Sequence, residues 1–318
     1  MIKRLATNVL AASPIWGFLR KRALRDNPLT VLCYHTLGPG QGGVDGWTVL
    51  SEKDFRAQLT DLKSHYDIIS LDDALSRQAA TDRPQVVITF DDGDQGLHTH
   101  LLPILRETFL PVTIYVATEQ FETRQPFWFD RVVNALQGEG QVNVEGLGSW
   151  RLSSSPGKSR WAVLGQVLEA LKQASPARRE KLADQVVAQG QPFSGPTLGP
   201  MTKEQLKELA DMPGVTIGAH SHGHELLDQI PLEEAKHSME TSRQFLRDWT
   251  GQEVRHFAFP NGNHSPELRA AARDLGFASA AILEERVAPR GTDPFALPRI
   301  SVGRYDSRAR VRLRLAGL

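Results

Sequence analysis

Two short stretches carry residues whose types and spacing could do chemistry. In the first, Val86-Val87-Ile88-Thr89-Phe90 runs straight into Asp91-Asp92-Gly93. Neighbouring strand residues point to opposite sides, so the two aspartates should not share one role. One could bind a metal ion while the other acts as a general base. Equally, they could be the N-cap and first-turn residues of a helix, positions that Asp favours. The second stretch, Gly218-Ala219-His220-Ser221-His222-Gly223-His224, packs three of the chain's 10 histidines into five residues. Neutral imidazole is the commonest metal ligand. One turn of backbone could aim His220 and His224 at one ion, with Gly218 and Gly223 relieving crowding there. A catalytic zinc centre usually has three protein ligands and an open position for water, whose pKa falls to about 7. His220, His224 and one aspartate would complete such a set. The other carboxylate would then be free to take the proton of the attacking water.

These residues need elements that hold them in place. A short apolar run bounded by a turn signal reads as a buried strand of a parallel sheet. Such strands carry chemistry at their carboxyl ends. Similar runs lie at 29–34, ending in His35, and at 68–71, 112–116, 215–219, 256–260, 278–282 and 297–302. Between them the pattern predicts helices. One starts at Ser51, with Asp54 completing a capping box and Phe55, Leu59 and Leu62 on one face. Others are expected at 72–79, through Leu101–Leu105, from Phe127 through Leu136, and at 202–210, 232–249 and 266–275. Strands alternating with helices argue an α/β chain built on a parallel sheet or barrel. Residues 38–46 form a glycine-rich loop. Residues 138–200 differ: Gly, Ser, Gln and Pro are frequent, and a short strand pair precedes two helices, at 161–172 and 176–189. This part reads as an insertion or cap.

Bulk properties exclude several classes. A chain of 318 residues can bury a large core as one barrel or two smaller domains. Lys plus Arg and Asp plus Glu both total 37, so there is no electrostatic case for nucleic acid. A single cysteine, Cys33, rules out an internal disulfide framework and a Cys-rich zinc module. Residues 1–28 read as a basic amphipathic segment, broken by Asn8, Ser13 and Pro14 and too short to span a bilayer. It could rest on a membrane surface or be an ordinary N-terminal helix. With no clear secretory signal, the expected location is cytoplasmic, with peripheral membrane contact through this segment.

Thr89-Phe90-Asp91-Asp92-Gly93 matches the T-F-D-D-G motif of polysaccharide deacetylases, the NodB-like carbohydrate esterases of family four, and His220 to His224 matches their H-[S/T]-x-x-H motif. The chain resembles that family from about residue 29 to 303, with 138–200 outside the common core. The resemblance implies a distorted (β/α) barrel of about seven parallel strands over 29–318. It also implies metal-dependent removal of acetyl from an N-acetylated sugar, with Zn2+ as the metal and a glycan or lipid-linked sugar as substrate. Carried over, Asp91 is the general base, and Asp92, His220 and His224 bind the metal. Ser221 would steady the loop by hydrogen bonding, whereas His222 and His98 have no counterpart in the motifs.

The remaining motifs depart from the pattern. Phe257 to Gly262 resembles F-R-x-P-Y-G, but Ala258 stands where an arginine usually pairs with the base, and Asn261 where tyrosine stands. Pro260 and Asn261 would face the substrate, and the backbone N–H of Asn261 could help hold the oxyanion. Arg299 is the candidate for the missing arginine, the alternative being a surface arginine. The C-terminal L-x-H motif is absent. In circularly permuted relatives the first strand takes the place of the last, which makes His35 the candidate general acid. Phe127-Trp128-Phe129-Asp130-Arg131 is similar to a segment of relatives associated with surface-glycan assembly. Trp128 could stack on a sugar ring or belong to the core, and Asp130 reads as a first-turn helix residue. Two rival readings stay open: hydrolysis of another linear amide, and an inactive glycan-binding homologue.

Overall fold

The computed structural model describes residues 16–18, 22, 25, 28–76, 83–153, 157–191 and 193–316. Twelve strands are found among them: β1 (Thr30–Tyr34), β2 (Thr36–Gly38), β3 (Val49–Ser51), β4 (Asp67–Ile68), β5 (Gln85–Phe90), β6 (Val112–Val116), β7 (Gly140–Val144), β8 (Gly148–Leu152), β9 (Val215–Ala219), β10 (His256–Ala258), β11 (Ser279–Leu283) and β12 (Leu297–Ser301). Seven of them run parallel in the order β1-β12-β11-β10-β9-β6-β5, and a β1–β5 pairing closes the barrel. The short β4 is an extra strand against the start of β5. This is a distorted (β/α) barrel.

Alternation along the strands divides the core into two layers. Val31, Val87, Tyr115, Ala258, Ala281 and Leu297 form an inner cluster. Leu32, Ile88, Phe90, Ile114, Ile217, Phe257, Ile282 and Ile300 belong to the larger outer cluster, together with Leu59, Leu105, Met239 and Leu246 from the helices. Fully burying one such side chain contributes about 1.5–3 kcal/mol. The inner layer is lined largely by small residues, which leaves room for the few large polar groups described below.

Several boundaries differ from the sequence pattern. Ile68–Leu71 is not one strand: β4 stops at Ile68, and a helix begins at Leu71 and runs to Ser76. The expected continuation of that helix to residue 79 falls outside the described residues. Thr36–Gly38 and Val49–Ser51 pair in parallel on the two sides of the glycine-rich loop. The helix Glu52–His65 has Ser51 as its N-cap, accepting from the Asp54 N–H at 3.0 Å.

Most of the N-terminal basic segment lies outside the described residues. Within it, Trp16 packs on Leu313 and Ala316 of the chain's last helical segment. No described helix is long and apolar enough to cross a membrane. Between β6 and β9, an antiparallel β7–β8 pair and the helices Lys158–Lys172 and Pro176–Val187 build a separate apolar cluster. Val132 and Val133 of the helix Trp128–Ala135 belong to that cluster.

Candidate active site

The strand register gathers the singled-out residues at one end of the barrel. Tyr34 pairs with Phe90, so the next residues, His35 and Asp91, stand level. Val116 pairs with Ala219, and the His220 N–H that follows donates to the Val116 carbonyl at 3.0 Å.

Asp91 continues the inward alternation of Val87 and Thr89 and meets Arg299 of β12. Arg299 Nη1 donates to Asp91 Oδ1 at 2.6 Å and Nη2 to Oδ2 at 2.7 Å, a two-pronged pair buried on both sides. Nη1 also reaches Thr89 Oγ1 at 3.1 Å, and the guanidinium lies 5.2 Å from the Tyr115 ring centroid. Ala258 and Ala281 keep this lumen roomy, and Gly218 is required beside it: a Cβ there would lie 2.5 Å from the Tyr115 ring. Cys33 Sγ faces Asp91 Oδ2 at 3.4 Å as a further donor. Burial pushes the Asp91 carboxyl up, but the Arg299 charge and hydrogen bonds, with His220 and His35, together outweigh it and hold the group below its usual value. Burial pushes the Cys33 thiol well up, so it remains a protonated donor.

Asp92 breaks away from the strand. Its φ of 75° and the 84° of Gly93 turn the chain sharply, and its carboxylate swings toward the histidine loop. His224 Nε2 lies 3.2 Å and His220 Nε2 3.5 Å from Asp92 Oδ1. The other nitrogen of His220, Nδ1, faces the Ala258 carbonyl at 2.7 Å and must be the donor. Its Nε2 is therefore the nitrogen left to bind an ion.

Asp92 Oδ1 is buried with no hydrogen-bond partner among the described residues. A bare carboxylate oxygen crowded by imidazole nitrogens is unfavourable unless positive charge sits between them. The electrostatics say the same. Burial pushes Asp92 up, yet the two histidines draw it well below its usual value. Burial pushes His220 down, yet Asp91 and Asp92 hold it above its usual value. The three donor atoms lie within 4.8 Å of one another. A nitrogen–nitrogen–oxygen set of this kind fits a divalent cation such as Zn2+.

Cys33, His35 and Asp91 make a second triple of similar spacing, but Arg299 already neutralises Asp91 there. His35 is half-buried, edge-on to Trp47 at 5.7 Å, and its Nδ1 has no partner among the described residues. Burial lowers its pKa, against the pull of Asp92 and Asp91.

The loops carry unusual backbone. Six described non-glycine residues have positive φ, and four of them, Asp92, Ser221, His224 and Asn261, are site candidates. Ser221 corrects an expectation, because its Oγ makes no hydrogen bond among the described residues. The loop is steadied by others. The His222 N–H donates to Ser238 Oγ at 2.9 Å, and His222 Nδ1 lies 2.8 Å from Thr118 Oγ1. Gln120 Nε2 donates to the Asp92 carbonyl at 2.7 Å.

The other candidates lie further out. Pro260 and Asn261 form a tight turn after β10, where Asn261 Oδ1 accepts from Lys172 Nζ at 2.8 Å. Trp128 packs against the cluster of the inserted helices, with the Arg179 guanidinium 5.5 Å from its ring. It is Phe129 and Phe127, not singled out as site residues in the sequence, that stand beside His224 at 4.9 and 5.3 Å. His98 pairs with Glu208 at the surface at 2.7 Å. Sequence reasoning also passed over Cys33, Gln120 and Asp94. Asp94 accepts from Thr36 Oγ1 at 2.6 Å and from the Gly199 N–H at 2.8 Å, pinning two loops together. Its only sequence signal is its position two residues after Asp92.

A family described as polysaccharide deacetylase matches residues 78–280, well over half of the chain. His35 and Arg299 flank the matched stretch. No curated protein matches the chain. Among solved structures, the chain is similar to the Streptococcus pyogenes deacetylase PplD in complex with acetate, at 16% identity and a TM-score of 0.59, covering 91% of this chain and 98% of that one. It is also similar to IcaB from Ammonifex degensii, at 18% and 0.58, covering 91% and 97%. A third is a de-N-acetylase from Aggregatibacter actinomycetemcomitans, at 14% and 0.59, covering 90% and 99%. At these identities the likeness concerns the fold.

Proposed function

This chain belongs to the polysaccharide deacetylase family, hydrolases that act on carbon–nitrogen bonds of glycans, and we propose that it removes acetyl from an N-acetylated sugar with the help of a divalent metal. Asp92, His220 and His224 would hold the ion, Zn2+ by the character of the donors. When bound, it would polarise the acetyl carbonyl and make the attacking water more acidic. The orphaned Oδ1 of Asp92 between the two histidines is the observation that carries this reading.

The chain's own residues supply the proton traffic. Asp91 takes the proton of the attacking water, and Arg299 keeps it ionised and aimed. His35 delivers a proton to the departing amine nitrogen. Burial lowers the His35 pKa, which makes its protonated form a ready proton donor. The backbone N–H of Asn261 assists with the negative charge on the acetyl oxygen. Phe127 and Phe129 shield the His224 side of the site from water.

The test is acetate release from N-acetylglucosamine oligomers and from lipid-linked sugars. It should be run after chelation, after zinc is restored, and with Asp91→Asn. We expect release that stops on chelation, returns with zinc and is lost in the variant. Zinc-independent release, or none from any acetylated sugar, would sink this reading.

A further inference from the structure

The proposed chemistry leaves one buried acid unused. Asp130 stands in the first turn of the helix Trp128–Ala135 and is only 8% exposed. Its carboxyl accepts no hydrogen bond from any described residue, and its charged neighbours are two more carboxylates, Asp92 and Asp94. Burial and those two neighbours push the group well above its usual value. It is not one of the three residues placed to hold a metal.

A buried carboxyl without a donor is costly, and asparagine would fit the same space at lower cost. Acid at this position is accounted for when a ligand brings donors to it. The surroundings suggest which ligand. Phe127 and Phe129 stack on each other at 5.4 Å and both rings reach His224, so the turn that carries the acid sets two aromatic rings against a candidate metal ligand. A sugar ring offers both complements, a face of C–H groups and a rim of hydroxyl donors.

We propose that Asp130 accepts a hydrogen bond from a hydroxyl of the sugar that carries the acetyl group, making it a specificity-determining residue for sugars over simple acetyl compounds. This rests on the glycan reading above. The experiment compares wild type, Asp130→Asn and Asp130→Ala on an N-acetylglucosamine tetramer and on 4-nitrophenyl acetate, which has no sugar. Zinc content and Tm are recorded alongside.

The ratio of kcat/KM for tetramer over ester should fall about 10- to 100-fold, mainly through KM. Zinc content should hold, and Tm should rise in Asp130→Asn, because a residue kept for substrate costs stability. An unchanged ratio overturns the proposal, as do a lower Tm or lost zinc, each of which would make Asp130 structural. A wild type that is inert on the tetramer refutes the glycan reading itself. A wild type that deacetylates the tetramer, with the ratio unchanged in the variants, overturns only the role of Asp130.

Discussion

Replacing Arg299 by leucine would remove a buried cation and leave the Asp91 carboxylate charged inside the barrel. Both Asp91 oxygens lose their short donors, at 2.6 and 2.7 Å. Leucine restores part of the lost volume but none of the charge. Breaking a buried pair from one side costs about 3–5 kcal/mol, against a total stability of about 5–15 kcal/mol. Arg299→Lys keeps the charge but not the planar fork, and should cost less, about 1.5–3 kcal/mol. Adding Asp91→Asn to Arg299→Leu removes the stranded charge and should recover much of the loss, so the two effects should not add.

Urea denaturation followed by circular dichroism measures all four proteins. The sign of the pH dependence is fixed by the direction of the Asp91 shift. Its folded value lies below the ordinary one of about 4, so the pair stabilises above that pH and loses its effect as pH falls through the folded value. The gap between wild type and Arg299→Leu should therefore close on acidification. Equal urea midpoints at pH 7, or simple additivity in the double variant, would refute the reasoning.

Two further outcomes are expected. His35→Ala should lower kcat by about 10²- to 10⁴-fold, the usual contribution of a positioned acid, with zinc content unchanged; wild-type turnover would remove His35 from the mechanism. Asp130→Asn should stabilise metal-free protein at pH 7. The wild-type carboxyl has a raised folded value, so its penalty appears as pH rises above about 4 and is absent below. A gain that persists at pH 3 would point to a cause other than ionisation.

What the sequence discloses follows from how local each signal is. Asp91-Asp92 is visible as a pair at a strand end, but its division of labour depends on the left-handed backbone of Asp92, which no pattern displays. Arg299 draws notice as a charge inside an apolar strand-like run. The sequence offers it as the partner of Asp91, and the two meet because β12, β1 and β5 lie side by side. Asp130 hides behind an ordinary explanation, because acids are common in a helix's first turn. Strands of three residues, such as β2 and β3, are too short to show a period. Ser221 shows the reverse error: motif position suggested a hydrogen bond, while the loop is held by His222, Ser238 and Thr118.

The closure of the barrel has a consequence for how this protein comes into being. Asp91 and Arg299 stand 208 residues apart in the chain, and the first strand of the ring, β1, pairs with both the second, β5, and the last, β12. Contacts so distant in sequence form slowly, because the entropy of closing the loop is lost before they can stabilise anything. During synthesis, the segment that carries both the paired aspartates and the histidine loop emerges well before the arginine that tethers the base. On the proposed roles, a nascent chain can thus hold every candidate metal ligand and still be a poor catalyst. Competence would arrive with the final strand.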